Sequence, residues 1–220
     1  MRALLFLILV AAVALYLSWQ VRKPSRWLGR FYAWAMNSSH SNLTDWGLTH
    51  VLIEKQFTML DVGCGGGRTI QKLAAAAPEG RVFGIDHAAG SVAVSRQTNA
   101  DSIASGRVEI QRASVSRLPF GDNTFDLVTA VETQYYWPDL IEDMKEILRV
   151  LKSGGSLIMI AESYAGGRYD AIQRPAMWLL RSTSLSVNEQ EKLFSAAGYT
   201  SVQLFEERAR GWICATGKKP

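Results

Sequence analysis

Short apolar runs alternate with longer stretches of helical period along most of the chain, and this alternation predicts the elements. Strands are expected at Met59–Val62, Val82–Asp86, Val108–Ala113, Phe125–Ala130, Ser156–Ala161, Val202–Glu206 and Trp212–Thr216. Between them, Ile70, Leu73 and Ala74 keep a helical spacing until Pro78, and Ser91 to Ala104 forms a second helix. In Asp139–Val150, Leu140, Ile141, Met144, Ile147 and Leu148 make one apolar helical face, closed by Lys152-Ser153-Gly154-Gly155. Ser186-Val187-Asn188-Glu189 is a capping box that opens a last helix, stopped at Gly198. Thr44 or Asp45 caps a helix through Thr49–Ile53. Strands that alternate with helices build a sheet covered on both faces, an α/β, doubly wound, Rossmann-like architecture.

The first strand runs into the sequence Asp61-Val62-Gly63-Cys64-Gly65-Gly66-Gly67. Glycines at a helix N-terminus permit positive φ and close approach of a ligand to the backbone. A dinucleotide fingerprint requires a third small residue where this chain has Arg68. The second strand ends in Asp86, twenty residues after Gly66. In a doubly wound sheet the ends of strands one and two are neighbours, so Asp86 can accept both hydroxyls of a ribose lying across the glycine loop.

The spacing Gly63-x-Gly65-x-Gly67 resembles the first motif of class I S-adenosylmethionine-dependent methyltransferases. Together with Gly84-Ile85-Asp86 and the frame Leu118-Pro119-Phe120…Phe125-Asp126-Leu127-Val128, it resembles the type 11 group, which includes ubiquinone and menaquinone methyltransferases. The resemblance covers roughly residues 55–217 and implies a seven-stranded sheet whose last strand is antiparallel. It also implies S-adenosyl-L-methionine as cofactor, with Asp61, Gly63, Cys64, Gly65, Gly67, Asp86, His87, Ser114, Val115 and Val131 on the cofactor side. One departure stands out. The family places an aspartate after strand three for the adenine amino group, where this chain has Ser114.

The stretch Val131-Glu132-Thr133-Gln134-Tyr135-Tyr136-Trp137-Pro138 follows strand four and lies at the carboxyl edge, beside the methyl donor. It offers a carboxylate and three aromatic rings, suited to an apolar or cationic acceptor near a sulfonium. Glu132 is the leading base candidate, with Tyr135, Tyr136 and His40 behind it, and the acceptor is expected to be a small, lipophilic molecule. Two rival readings remain on the same residues: a nicotinamide oxidoreductase, disfavoured by Arg68, and a membrane-tethered S-adenosylmethionine sensor without catalysis.

Ala3–Val21 carries no charge and would span roughly 28 Å as a helix. Tyr16 and Trp19 fall near one end, and Arg22, Lys23, Arg26 and Arg30 follow. This pattern predicts a single transmembrane anchor with the catalytic domain on the cytoplasmic side. A cleaved signal peptide, with Ala12-Val13-Ala14 as cleavage site, and a helix buried against the domain are the competing readings. The expected division is an anchor at 3–21, a juxtamembrane segment with cofactor-covering helices at 22–54, and the methyltransferase domain at 55–220. The 165–184 insertion is expected to lid the site or touch the membrane.

Charge refines the picture only locally. Of 24 basic residues, five fall in the first thirty positions, which leaves 19 against 20 acidic ones in the rest of the chain. No basic stripe suited to nucleic acid emerges. Two cysteines and three histidines do not have the spacing of a disulfide framework or metal site.

Overall fold

The computed structural model describes residues 41–172, 174 and 182–220. The expected anchor at 3–21, most of the juxtamembrane segment and His40 lie outside the described residues. No helix among the described residues is long and apolar enough to cross a membrane.

Seven strands form one mixed sheet: β1 (Thr58–Val62), β2 (Arg81–Asp86), β3 (Val108–Arg112), β4 (Phe125–Val131), β5 (Leu151–Ala161), β6 (Thr200–Glu207) and β7 (Trp212–Lys218). Their order is β3-β2-β1-β4-β5-β7-β6, with β7 antiparallel to both of its neighbours. The chain therefore steps outward from β1 to β3 and returns to pair β4 with β1. That reversal opens a crevice at the carboxyl ends of β1 and β4.

Alternation along each strand supplies two cores. Leu60, Val128, Leu157 and Phe125 face one side, against Met144, Ile147 and Phe194. Met59, Leu127, Ile158 and Ile160 face the other, against Leu43, Ile70 and Leu73. The helices are α1 (Ser41–Leu48), α2 (Arg68–Ala76), α3 (Ala89–Thr98), α4 (Ala100–Ala104), α5 (Leu140–Val150) and α6 (Val187–Ala196). Asp139 caps α5 by accepting from the N–H groups of Ile141 and Glu142, each at 3.1 Å. The Ser186–Glu189 capping box is formed at α6 as the sequence predicts.

Three boundaries differ from expectation. The helix expected to run from a cap at Thr44 or Asp45 through Ile53 lies earlier, at Ser41–Leu48, with Thr44 and Asp45 inside it. Gly47 presses against the Ile160 side chain, where a Cβ would come within 2.3 Å, and Thr49 Oγ1 turns back to donate to Trp46 O at 2.6 Å. The expected helix Ser91–Ala104 is divided at Asn99, whose Nδ2 donates to Gly67 O and Ser95 O. Finally, Lys152–Gly155 does not close α5 but belongs to β5. The register jumps from Phe125↔Leu151 to Leu127↔Ser156, so these residues form a bulge.

Candidate active site

The strand order brings the sequence-predicted residues to one edge. Asp61 stands near the end of β1 with the glycine loop after it, Asp86 ends β2 with His87 next, Ser114 and Val115 come just after β3, and Val131 ends β4 with Glu132 next. These four strands are contiguous.

Gly63, Gly65 and Gly67 all have positive φ, at 72°, 49° and 83°. Their surroundings differ. A Cβ on Gly63 would lie 2.1 Å from Thr133 Oγ1, and one on Gly67 would lie 2.4 Å from Ser95 Oγ and 2.5 Å from Asn99 Nδ2. A Cβ on Gly65 meets only Gly63 O, at 3.9 Å. Only Gly65 therefore presents bare backbone to open space; the other two make room for the protein itself. The N–H groups of Gly63 and Cys64 both donate to Ile85 O, and the Cys64 thiol is buried among core side chains. Burial pushes that thiol well above its ordinary pKa.

Asp86 is buried, and each carboxylate oxygen already accepts one backbone N–H: Gly65 N at 3.0 Å and Ala88 N at 2.8 Å. A carboxylate oxygen has two lone pairs, so capacity for a diol remains. Burial raises the Asp86 pKa, and the Ala88 N–H, His87 and the Gly65 N–H oppose that rise. His87 Nδ1 is 3.6 Å from Asp86 Oδ1, with half of its side chain exposed. Asp61 is deeply buried; burial raises its pKa to about 7, against a 2.6 Å bond from Thr129 Oγ1. Ser114 is exposed and its hydroxyl accepts from Ser116 N at 3.3 Å, while Val115 is turned into the core. Val131 packs partly buried against the second core.

Glu132 has φ 57°, a left-handed conformation unusual for a residue other than glycine. Its Oε1 accepts from Glu162 N at 2.5 Å and from Tyr135 Oη at 3.2 Å. Backbone strain and a doubly held carboxylate at a strand end mark a constrained position. Tyr135 is 6% exposed, and its hydroxyl also lies 3.0 Å from Ser163 O. Trp137 is likewise in the core, with Nε1 donating to Thr133 Oγ1 at 3.4 Å. Of the three rings expected to line an acceptor, only Tyr136 keeps partial exposure; it meets Tyr135 edge-on at 6.1 Å. Thr133, Thr129 and the Glu162 N–H were not legible as site residues. Each acts through a contact made across the sheet edge rather than through a motif.

A family model described as a methyltransferase domain matches residues 60–159. Over that stretch, a little under half of its length, the chain is similar to methyltransferase domains. It is 37% identical over 112 residues to a demethylmenaquinone methyltransferase of Symbiobacterium thermophilum, covering 50% of this chain and 45% of that protein. It is 29% identical over 136 residues to a sterol 4-C-methyltransferase of Caenorhabditis elegans, covering 62% and 39% respectively. The chain thus spans under half the length of these curated relatives. Among solved structures, a Haloferax volcanii chain from a complex with the Trm112 methyltransferase activator superposes with a TM-score of 0.75 at 20% identity. That match covers 86% of this chain and 94% of the other, and it shows the shared fold.

Proposed function

We propose that this chain transfers a methyl group from S-adenosyl-L-methionine to a small, lipophilic acceptor. The observation that carries the reading is the pairing of Gly65, the loop glycine open to a ligand, with a buried Asp86 carboxylate that holds the same Gly65 N–H. In this reading Asp86 takes the ribose hydroxyls and His87 lies beside it. Ser114 stands where an acidic contact to adenine would otherwise be, and Val131 and Val115 provide apolar contact. Asp61, with Gly63, Cys64 and Gly67, supports the loop from behind. S-adenosyl-L-methionine supplies a methyl carbon on a positively charged sulfur when it is bound.

Glu132 is assigned to the acceptor side, where it accepts a proton from the nucleophile or orients it. Tyr135 acts on Glu132 as a positioning residue, and Tyr136 offers a ring to the acceptor; His40 is retained as a further candidate. Quinone and sterol acceptors in the names of the relatives support a lipophilic substrate. A single-pass anchor at 3–21, a cytoplasmic catalytic domain at 55–220 and a connecting segment at 22–54 complete the reading; the uncharged span and the basic residues after it support them.

The test is calorimetry of the purified protein with S-adenosylmethionine, its demethylated product and NAD. Loss of charge-assisted bonds worth about 1.5–3 kcal/mol should weaken cofactor binding roughly ten- to a hundredfold in Asp86→Ala. Because Asp86 also holds the Gly65 and Ala88 N–H groups, Asp86→Asn, which keeps an acceptor oxygen, should lose less. Equal affinity in wild type and Asp86→Ala would remove the ribose assignment.

A further inference from the structure

We infer that the carboxyl edge beyond β5 docks onto the surface of an anionic lipid bilayer, an inference that rests on the lipophilic acceptor proposed above. After Glu162, whose N–H holds Glu132, the chain turns through Tyr164 to Arg168 and Tyr169. There it meets the hairpin joining β6 to β7. Tyr164 Oη donates to Glu206 Oε1 at 2.6 Å, Arg168 donates to Ala209 O, and a Cβ on Gly211 would come within 2.8 Å of the Tyr169 ring. The two segments form one surface, and Trp212 opens β7 beside the end of β5, since Ile213 pairs with Ala161. This surface and Glu132 share one edge of the sheet.

Its chemistry is that of a membrane interface. Ile172 is 78% exposed and Tyr169 38% exposed. The Arg168 guanidinium lies 5.5 Å from the Tyr169 ring centre and that of Arg210 4.7 Å from the Trp212 ring centre. Aromatic rings and arginines with an exposed aliphatic side chain suit the headgroup layer, where rings lie at the polar boundary and guanidinium groups meet phosphates. The acids are largely engaged within the surface: Asp170 pairs with Arg174, and Glu206 pairs with Arg208 while accepting from Tyr164. Glu207 is the remaining acid on the hairpin. Among the described residues, Arg168 and Arg210 have no carboxylate partner, so the outward charge is positive. A lipophilic acceptor leaving the bilayer here would have a short path to Glu132.

The test uses the full chain. Cys64 and Cys214 are both buried, so a nitroxide reagent should label Ile172→Cys selectively, with Glu79→Cys at the opposite edge as control. Collision with an aqueous nickel complex is then measured in phosphatidylcholine vesicles with and without phosphatidylglycerol. Docking predicts that position 172 is shielded when phosphatidylglycerol is present, while position 79 stays accessible, and that high salt weakens the shielding. Each arginine near an anionic surface contributes roughly fivefold in partitioning, so Arg168→Gln with Arg210→Gln should lower the docked-to-undocked ratio about thirtyfold. Three results would overturn the inference: equal accessibility at 172 and 79, equal shielding without phosphatidylglycerol, or shielding of 172 without vesicles, which means protein covers it. S-adenosylmethionine affinity of the same preparation is measured in parallel. Intact cofactor binding with an accessible position 172 refutes docking alone.

Discussion

Three glycines of like backbone conformation should respond differently to the same small change. In Gly65→Ala, a φ of 49° costs an alanine roughly 1–2 kcal/mol, and the new Cβ finds no atom closer than 3.9 Å. For a chain of this size that lowers the melting temperature by about 2–8 °C. The methyl group would, however, stand where the ligand is proposed to lie, so affinity for S-adenosylmethionine should fall at least about tenfold, equivalent to roughly 1.4 kcal/mol. Gly63→Ala carries the same conformational cost and adds a collision with Thr133. Rotating the hydroxyl does not relieve it, because Thr133 Cβ is itself within 2.7 Å of the new atom. Overpacking of this kind adds roughly 1–3 kcal/mol. Differential scanning calorimetry and titration of S-adenosylmethionine on both variants separate the two effects. Gly65→Ala should melt about 2–8 °C below wild type and bind poorly, and Gly63→Ala should melt distinctly lower still. The reasoning fails if Gly65→Ala binds like wild type, or if Gly63→Ala melts no lower than Gly65→Ala.

Tyr135→Phe keeps the buried ring but removes the hydroxyl from Glu132 and Ser163. One lost bond to a charged group, about 1.5–3 kcal/mol, should lower kcat roughly ten- to a hundredfold at unchanged cofactor affinity, with a shifted pH profile. Glu132→Gln should abolish turnover; if it weakens cofactor binding and leaves the saturated rate intact, Glu132 belongs to the cofactor side. Asp61 binds a proton more tightly in the folded protein than in the unfolded chain, so its ionisation opposes folding as pH rises from about 4 to about 7. Asp61→Asn keeps an acceptor for Thr129 and should stabilise the fold at pH 8 relative to pH 5, measured against wild type by urea unfolding. An equal difference at both values would show that Asp61 is charged at both.

Much of the architecture is written locally, and for that reason it is legible in the chain. Strand and helix periods, the Asp61–Gly67 loop and the position of Asp86 are short-range patterns, and a doubly wound sheet then brings the four strand ends to one edge. Helix boundaries were less legible, because they depend on partners far along the chain. Gly47 against Ile160 goes with the displacement of α1, and Asn99 on Gly67 O accompanies the division between α3 and α4. The same holds within the site. No spacing distinguishes Gly65 from Gly63, since Thr133 enters from the other side of the crevice, seventy positions later. Nor does an aromatic run reveal that Tyr135 is buried with its hydroxyl on Glu132, or that Glu132 is held by an N–H at the end of β5. Sequence determined which chemical groups reach the edge of the sheet. Tertiary packing decided which of them face open space and which support the others, because exposure at one position is set by side chains distant in sequence.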